Sequence, residues 1–567
     1  MKKCVYNVLT TLYEDNLDKN QPYKDYPRPQ FVRNSYINLN GKWEYAITKS
    51  NEFPLKYDGD ILVPFCPESK LSGVERRIVK GEYLYYRKTF VLPSDFVKDK
   101  VILHFGAVDY ECWVYVNGIL VGYNDNGYLP FECFIDEYLK QENEIIVKVK
   151  DDLDPIQPYG KQVRKPKGMW YTQVSGIWQT VWIESVNKDY IKSIKIDTDF
   201  DNKILNLAID ASNIEKEIQV LYKDKEVANI KTNDNNVQIK LKSIKAWSPE
   251  KPNLYDLIIK TATDEVKSYF AFRKIHIEDG KILLNNKPYF FNGLLDQGYY
   301  PDGIFLPATK EGFIDDIKKM KELGFNTLRK HIKIEPMEFY YQCDKLGMVV
   351  FQDMVNNGKY EFISQTALPT IGFKYFKDRK SKKNKYYLKF IDSSVKTVKH
   401  LYNCPSILYW TIYNEGWGQV NSDDMYDLFK TLDQSRIIDS TSGWFYHKKS
   451  DVFSDHVYFK EIKYKKKDIP TVISEFGGFS YKLNEHSYNL TNTYGYKNFY
   501  SQEEFENAVI SLYKNQVLPN INNGLSAAIY TQVSDVEDET NGFLTYDRRI
   551  LKVDKKKFKE LFKNINK

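Results

Sequence analysis

The sequence is poor in the residues that build metal, redox and disulfide centres: its 567 residues include only seven histidines and six cysteines. The histidines form no His-x-x-x-His pair and no His/Cys cluster, so neither a catalytic metal nor another cofactor is expected. Cys4, Cys66, Cys112, Cys133, Cys343 and Cys404 lack the short paired spacing of zinc or redox sites. Free thiols in a reducing, cytoplasmic setting are the default reading. No apolar run reaches membrane-spanning length. The basic start Met1-Lys2-Lys3 leads into a stretch broken by Asn7, Thr10 and Thr11 and followed by Glu14 and Asp15, which argues against a signal peptide and a membrane partner. Nor does one sign of charge dominate, since 82 basic and 76 acidic residues leave a net +6. The basic runs, such as Arg379 to Lys385 and Lys463 to Lys467, are short and read as solvated loops, not as a nucleic-acid groove.

What is present is a soluble globular balance, 42% hydrophobic and 28% charged, with a surplus of aromatic residues at 15%. Such a surplus suits stacking on the apolar faces of sugar rings. A single core stops growing near ~250–300 residues, so two or three domains are expected. From about residue 30 to 185 short strand patterns alternate with turns. An Asn117-Gly118 hairpin signal lies between Trp113-Val114-Tyr115-Val116 and Ile119-Leu120-Val121. Residues 187–275 continue in β style and fit a small immunoglobulin-like sandwich. Beyond residue 280 strand and helix alternate, which implies a parallel sheet.

Eight strands are expected near 289–295, 325–332, 348–354, 407–414, 436–440, 452–458, 471–475 and 524–533. Helices are expected near 310–323, 336–346, 385–403, 422–434 and 502–520. This is the content of a (β/α)₈ barrel. Gly324 and Gly347 stand where helices need left-handed caps, and 355–384 is a long insert after the third strand. The expected architecture is therefore multidomain: a β-sandwich over 1–186, an immunoglobulin-like β-sandwich over 187–275 and a C-terminal TIM barrel over 276–567.

Functional side chains of such barrels collect where strands end. Here those ends read Asp296, Arg329 and His331, Asp353, Asn414-Glu415, Asp455-His456 with Tyr458, Glu475 and Gln532. Glycoside hydrolysis needs one carboxyl to protonate the leaving oxygen and a second to attack or to activate water. Read alone, either glutamate is a solvated loop residue or a helix N-terminal charge. Both, however, close apolar strands and precede glycines, in Tyr413-Asn414-Glu415-Gly416 and Ser474-Glu475-Phe476-Gly477-Gly478.

These segments resemble glycoside hydrolase family two, the family of β-galactosidases, β-glucuronidases and β-mannosidases. The resemblance extends through Leu39-Asn40-Gly41-Lys42-Trp43, Tyr86-Arg87-Lys88-Thr89-Phe90, Ser175-Gly176-Ile177-Trp178-Gln179, Trp247-Ser248-Pro249 and Phe272-Arg273. It implies a sugar-binding jelly roll, an immunoglobulin-like domain and a catalytic barrel. It also implies retention through a glycosyl-enzyme intermediate, with Glu415 as acid/base and Glu475 as nucleophile.

By the same resemblance Asn414 would hold the sugar's 2-hydroxyl, Arg329 would sit beside the nucleophile and Tyr458 would hydrogen-bond it. His331, Asp353, His456 and Gln532 join them as substrate-binding candidates. Asp296 departs from the usual Asn-Arg-His of better-known members. An acidic residue there would accept from vicinal hydroxyls and repel a uronate, or would merely cap its loop. Trp417 and Trp444 are possible stacking platforms, equally readable as packing, and only Trp444 is carried as a binding candidate. The leading expectation is β-galactosidase-like hydrolysis of a terminal neutral sugar. A β-glucuronidase is the runner-up, disfavoured because Asn541-Gly542-Phe543 replaces its Asn-x-Lys clamp. A non-catalytic carbohydrate-binding protein is the alternative from another class. The expected partner is a carbohydrate, and a homo-oligomer stays open.

Overall fold

The computed structural model describes residues 4–373, 384–462 and 467–566. The basic runs at 379–385 and 463–467 and the last part of the 355–384 insert lie largely outside the described residues.

The front of the chain folds as two facing antiparallel sheets. One has six strands, including Gly41–Thr48, Tyr83–Phe90, Glu111–Val116 and Asn143–Lys150; the other has four, including Lys100–Phe105 and Val181–Val186. Alternate side chains of both, among them Trp43, Tyr86, Val114, Leu103 and Ile183, meet in one buried core, as the period-two pattern requires. The Asn117-Gly118 turn forms as read: both residues have positive φ, 51° and 83°, and Val116 pairs with Ile119. A second sandwich follows, with three strands (Ser193–Asp199, Ile204–Asp210, Asn236–Lys240) against four (Lys216–Tyr222, Lys225–Thr232, Tyr255–Lys260, Glu265–Phe270).

The third unit is the expected barrel. Its strands are β1 (Phe291–Asp296), β2 (Thr327–Lys330), β3 (Val349–Asp353), β4 (Ile407–Asn414), β5 (Ile437–Ser442), β6 (Phe453–Val457), β7 (Thr471–Gly477) and β8 (Leu525–Thr531). They form one eight-stranded sheet in the order β5-β4-β3-β2-β1-β8-β7-β6. Only the β5/β6 seam lacks a backbone ladder, and side chains cross it: Ser442 Oγ lies 3.0 Å from His456 Nε2 and Trp444 Nε1 donates to the His456 carbonyl at 3.0 Å. Helices α1 (Glu311–Leu323), α2 (Met337–Leu346), α3 (Lys385–Leu401), α4 (Ser422–Leu432), α5 (Gln502–Leu512) and α6 (Lys555–Phe562) accompany the sheet. In α3 the buried Tyr387, Phe390, Ser394, Val398 and Leu401 recur every three or four residues, the stripe of a helix packed on one face. Gly324 and Gly347 cap α1 and α2 with φ of 98° and 74°. At Gly347 a Cβ would also stand 2.5 Å from the Pro249 carbonyl, so the second sandwich abuts the barrel there.

The front sandwich sets the shape of the barrel mouth. Tyr159 and Gly160 amides donate to the Asn356 carbonyl at 3.2 Å, Asn357 Nδ2 donates to the Ile156 carbonyl at 2.7 Å, and the Thr172 amide donates to Glu537 at 2.8 Å. The segment 153–172 thereby roofs one side of the site. Among the described residues no helix is long and apolar enough to cross a membrane.

Candidate active site

Glu415 directly follows β4 and Glu475 lies near the end of β7, both nearly buried at 6% and 5% exposure. Glu415 follows β4 in a left-handed conformation, φ 52°, which a non-glycine residue adopts only where its surroundings hold it. Gly443, opposite, leaves the room: a Cβ there would lie 3.3 Å from the His456 ring and 3.4 Å from Glu415 Cγ.

His456 stands between the two glutamates. Its Nδ1 is 2.8 Å from Glu415 Oε1 and 3.5 Å from Glu475 Oε2. One oxygen of each glutamate and this nitrogen all lie within 4.8 Å of one another. Because Nδ1 faces two carboxylates, it carries the hydrogen whenever either is ionised. Glu475 has two further partners, Arg329 Nη1 at 2.9 Å and the Tyr458 hydroxyl, which also lies 3.1 Å from Thr531 Oγ1. Burial acts to raise the Glu475 pKa, but the charges of His456 and Arg329 outweigh it and hold the carboxyl down at about 2.

Arg329 organises the rest. Besides Glu475 it donates to Asp353 Oδ1 at 2.9 Å, Asn414 Oδ1 at 2.9 Å and the Ser474 carbonyl at 3.1 Å, while 1% exposed. Asp353 gives its other oxygen to His331 Nδ1 at 2.7 Å. Burial would raise its pKa, yet Arg329 keeps it low. Removing one member of such a buried set leaves charges with neither water nor partner. Arg329→Met is therefore expected to lower the unfolding free energy by ~3–5 kcal/mol. Urea denaturation of the full chain measures this, and a loss near zero would mean that water reaches Asp353 and Glu475.

The sequence candidates thus divide. Glu415, Glu475, Asn414, Arg329, His456 and Tyr458 come together, and His331 and Asp353 flank them. Gln532 lies on the far wall, its Oε1 accepting from Gln297 Nε2 and its Nε2 donating to Asn541 Oδ1, both at 2.9 Å. Asp296 is not a free acceptor for vicinal hydroxyls. Its Oδ2 is held by Lys330 Nζ at 2.7 Å and its Oδ1 caps the loop through the Gly298 amide at 3.0 Å. Both oxygens of Asp353 are likewise taken, so it positions Arg329 and His331. Trp444 donates its indole N–H to the His456 carbonyl and lines a pocket with Tyr458, whereas Trp417 donates to the Gly358 carbonyl at 3.0 Å and packs among Tyr159, Trp170 and Tyr360.

Several site residues carry no signal in the sequence. Ser442 lies two residues past the expected end of β5. Glu539 and Lys161 come from loops, and Tyr171, from the short strand Tyr171–Thr172, reaches from the front sandwich to donate its hydroxyl to Glu539. Glu415, His456 and Glu475 are also the one set of such ligands gathered closely enough among the described residues to hold a metal ion. Arg329, 2.9 Å from Glu475, would repel a cation there, so the donor set suits proton transfer better.

Family models match in the order of the three units. "Glycosyl hydrolases family 2, sugar binding domain" covers 74–186, "Glycosyl hydrolases family 2" covers 177–273, and "Glycosyl hydrolases family 2, TIM barrel domain" covers 275–563. The chain belongs to glycosyl hydrolase family 2. Among curated relatives, a β-galactosidase of Leuconostoc mesenteroides is 25% identical over 76% of the chain and 41% of its own length. One of Thermoanaerobacter pseudethanolicus is 29% identical over 56% of the chain and 46% of its own length. The chain thus spans less than half of either. In fold it is similar to a β-glucuronidase of an uncultured Clostridium sp., at TM-score 0.73 and 18% identity over 94% of the chain and 99% of that one. It is also similar to a family 2 β-galacturonidase of Eisenbergiella tayi, at TM-score 0.69 and 18% identity over 95% and 99%.

Proposed function

We propose that this family 2 glycosidase is a retaining exo-β-glycosidase of a terminal neutral sugar, β-galactosidase-like, with Glu475 as nucleophile and Glu415 as acid/base. The approach of the two carboxyls carries the reading. Oxygens within 4.8 Å fit the ~5–5.5 Å separation of a nucleophile pair and leave no room for the water that an inverting pair, ~6.5–9.5 Å apart, must hold. Glu475, kept ionised by its cations, attacks C1 while Glu415 gives its proton to the leaving oxygen. Glu415 then takes a proton from the water that releases the sugar. Asn414, its Oδ1 held by Arg329, has its Nδ2 left to donate to the 2-hydroxyl, and Gln532 with Asn541 is placed to meet distal hydroxyls.

The case for a neutral sugar does not rest on Asp296, whose charge Lys330 compensates. It is supported by Glu539, 4% exposed beside Gln532 at 3.2 Å, a carboxyl whose pKa burial raises and beside which a uronate's charge would be disfavoured further. The β-galactosidases among the curated relatives favour the same sugar class.

The test is hydrolysis of p-nitrophenyl β-galactoside, β-glucoside, β-mannoside, β-glucuronide and α-arabinopyranoside, with the first-released anomer followed by NMR. A neutral glycoside should be cleaved with retention. Preference for the glucuronide would overturn the sugar assignment, release of the opposite anomer the mechanism, and no turnover at all the enzymatic reading in favour of a binding protein.

A further inference from the structure

Outside Glu415 a groove of about 1090 Å³ opens between the front sandwich and the barrel. The acid/base must face the leaving group, so the space on its side receives the aglycone. The connection is continuous: Trp417, two residues beyond Glu415, meets Trp170 edge-on at 5.0 Å, and Trp170 meets Tyr360 at 4.8 Å. Trp170 and Tyr360 line the groove together with Tyr494, and each is partly exposed.

The charges of this groove are nearly all of one sign. Lys165, Lys167 and Lys359 line it and are exposed, with no ion-pair partner among the described residues. The acid on its wall, Asp538, is already engaged, accepting from Asn489 Nδ2 at 2.7 Å and the Gly168 amide at 3.1 Å. A fourth lysine, outside the groove lining, lies against the ring of Trp170. Lys161 is only 9% exposed, lies 5.5 Å from the centroid of the Trp170 ring, and likewise has no ion-pair partner among the described residues. Its charge adds to burial in lowering the pKa of His331, and opposes the burial that raises that of Glu539. Its carbonyl accepts from the Tyr171 amide at 3.0 Å, and the Tyr171 hydroxyl donates to Glu539, so Lys161 stands beside the Glu539 wall of the site. Holding an ammonium out of water without a carboxylate partner is costly, and the cost is recovered when an anion arrives.

We infer that this groove is an aglycone subsite for an acidic saccharide, bearing a carboxylate or a sulfate, which stacks on Trp170 and Tyr360 and is held by Lys165, Lys167 and Lys359, with Lys161 adding its charge from beside Trp170. The inference rests on the retaining glycosidase reading.

Interception of the glycosyl-enzyme tests it, because the acceptor then binds in the aglycone subsite alone. The acceptor hydroxyl attacks C1, the bond from C1 to Glu475 breaks, and the hydroxyl proton passes to Glu415. With the p-nitrophenyl glycoside that is turned over as donor, methyl α-glucoside, its 6-sulfate and methyl α-glucuronide are compared as acceptors. The ratio of transfer to hydrolysis is read within each sample. An acidic acceptor should be favoured by about tenfold at low salt, whichever of the two wins naming the anion, and the preference should collapse near ~0.5 M salt. It should also collapse in Lys161→Met and in the combined Lys165→Gln, Lys167→Gln, Lys359→Gln protein, whose changes are at the surface and spare folding. Equal transfer to acidic and neutral acceptors, with donor hydrolysis intact, would overturn the inference and leave the glycosidase reading standing. Failure to hydrolyse any donor would instead remove that reading, and the inference with it.

Discussion

Replacing Glu475 by glycine is expected to lower turnover of an aryl β-glycoside by at least ~10⁴-fold, and azide should restore it with an α-glycosyl azide as product. Without the carboxylate there is space for the small anion on the α face, so C1 inverts once. Glu415→Gly should behave in the opposite way. With a dinitrophenyl leaving group that needs no proton, the glycosyl-enzyme still forms, and azide, meeting no carboxylate on the β face, attacks to give the β-azide. Product configuration by NMR assigns the two glutamates independently of rate. The same anomer from both variants would mean that they do not act on opposite faces, and an exchange of the two anomers would reverse their roles. The surroundings of the two glutamates are in keeping with the proposed roles. Glu475 is held by Arg329 and Tyr458, the setting of a permanent anion, whereas Glu415 has His456, a partner that can give or receive a proton.

Much of this was legible in the residues. All eight barrel strands fall within a few residues of their expected positions, because β-strands buried on both faces read as apolar runs and the helices between them carry a 3.6-residue stripe and glycine caps. The strand ends were legible for the same reason: a polar residue closing an apolar run has few places to go but the mouth. Direction and partnership were not legible. Asp296 and Asp353 are strand-end acids like Glu475, but Lys330 and His331, spaced only by what the fold brings near, occupy them. Lys161, Tyr171 and Glu539 were out of reach because their approach depends on how the front sandwich rests on the barrel, a contact made largely through backbone groups such as the carbonyl of Asn356. The insert also departs from simple expectation. Its described part includes a π-helical turn at Ile363–Ala367, and Gln365 Nε2 donates to the Gly416 carbonyl at 3.0 Å, so it braces the residue after Glu415.

The arrangement also fixes how the site should answer to pH. Among the groups that lower the Glu475 pKa His456 acts most strongly, ahead of Arg329. A carboxyl whose folded pKa is depressed stabilises the fold above its unfolded pKa. That contribution is lost as pH falls from about 4.5 toward about 2. Catalysis follows the same limb, since only the ionised form attacks. His456→Asn should therefore shift the acid limb of kcat/KM upward by more than ~1 pH unit and lower its plateau by ~10²–10³-fold. Tyr458→Phe, which removes a neutral donor and leaves both cations, should shift the limb less. The upward shift distinguishes an electrostatic role from simple packing against Trp444, which would lower the plateau and leave the limb where it was. If His456→Asn keeps the wild-type acid limb, Arg329 alone holds Glu475 ionised and the imidazole serves only to move the proton of Glu415.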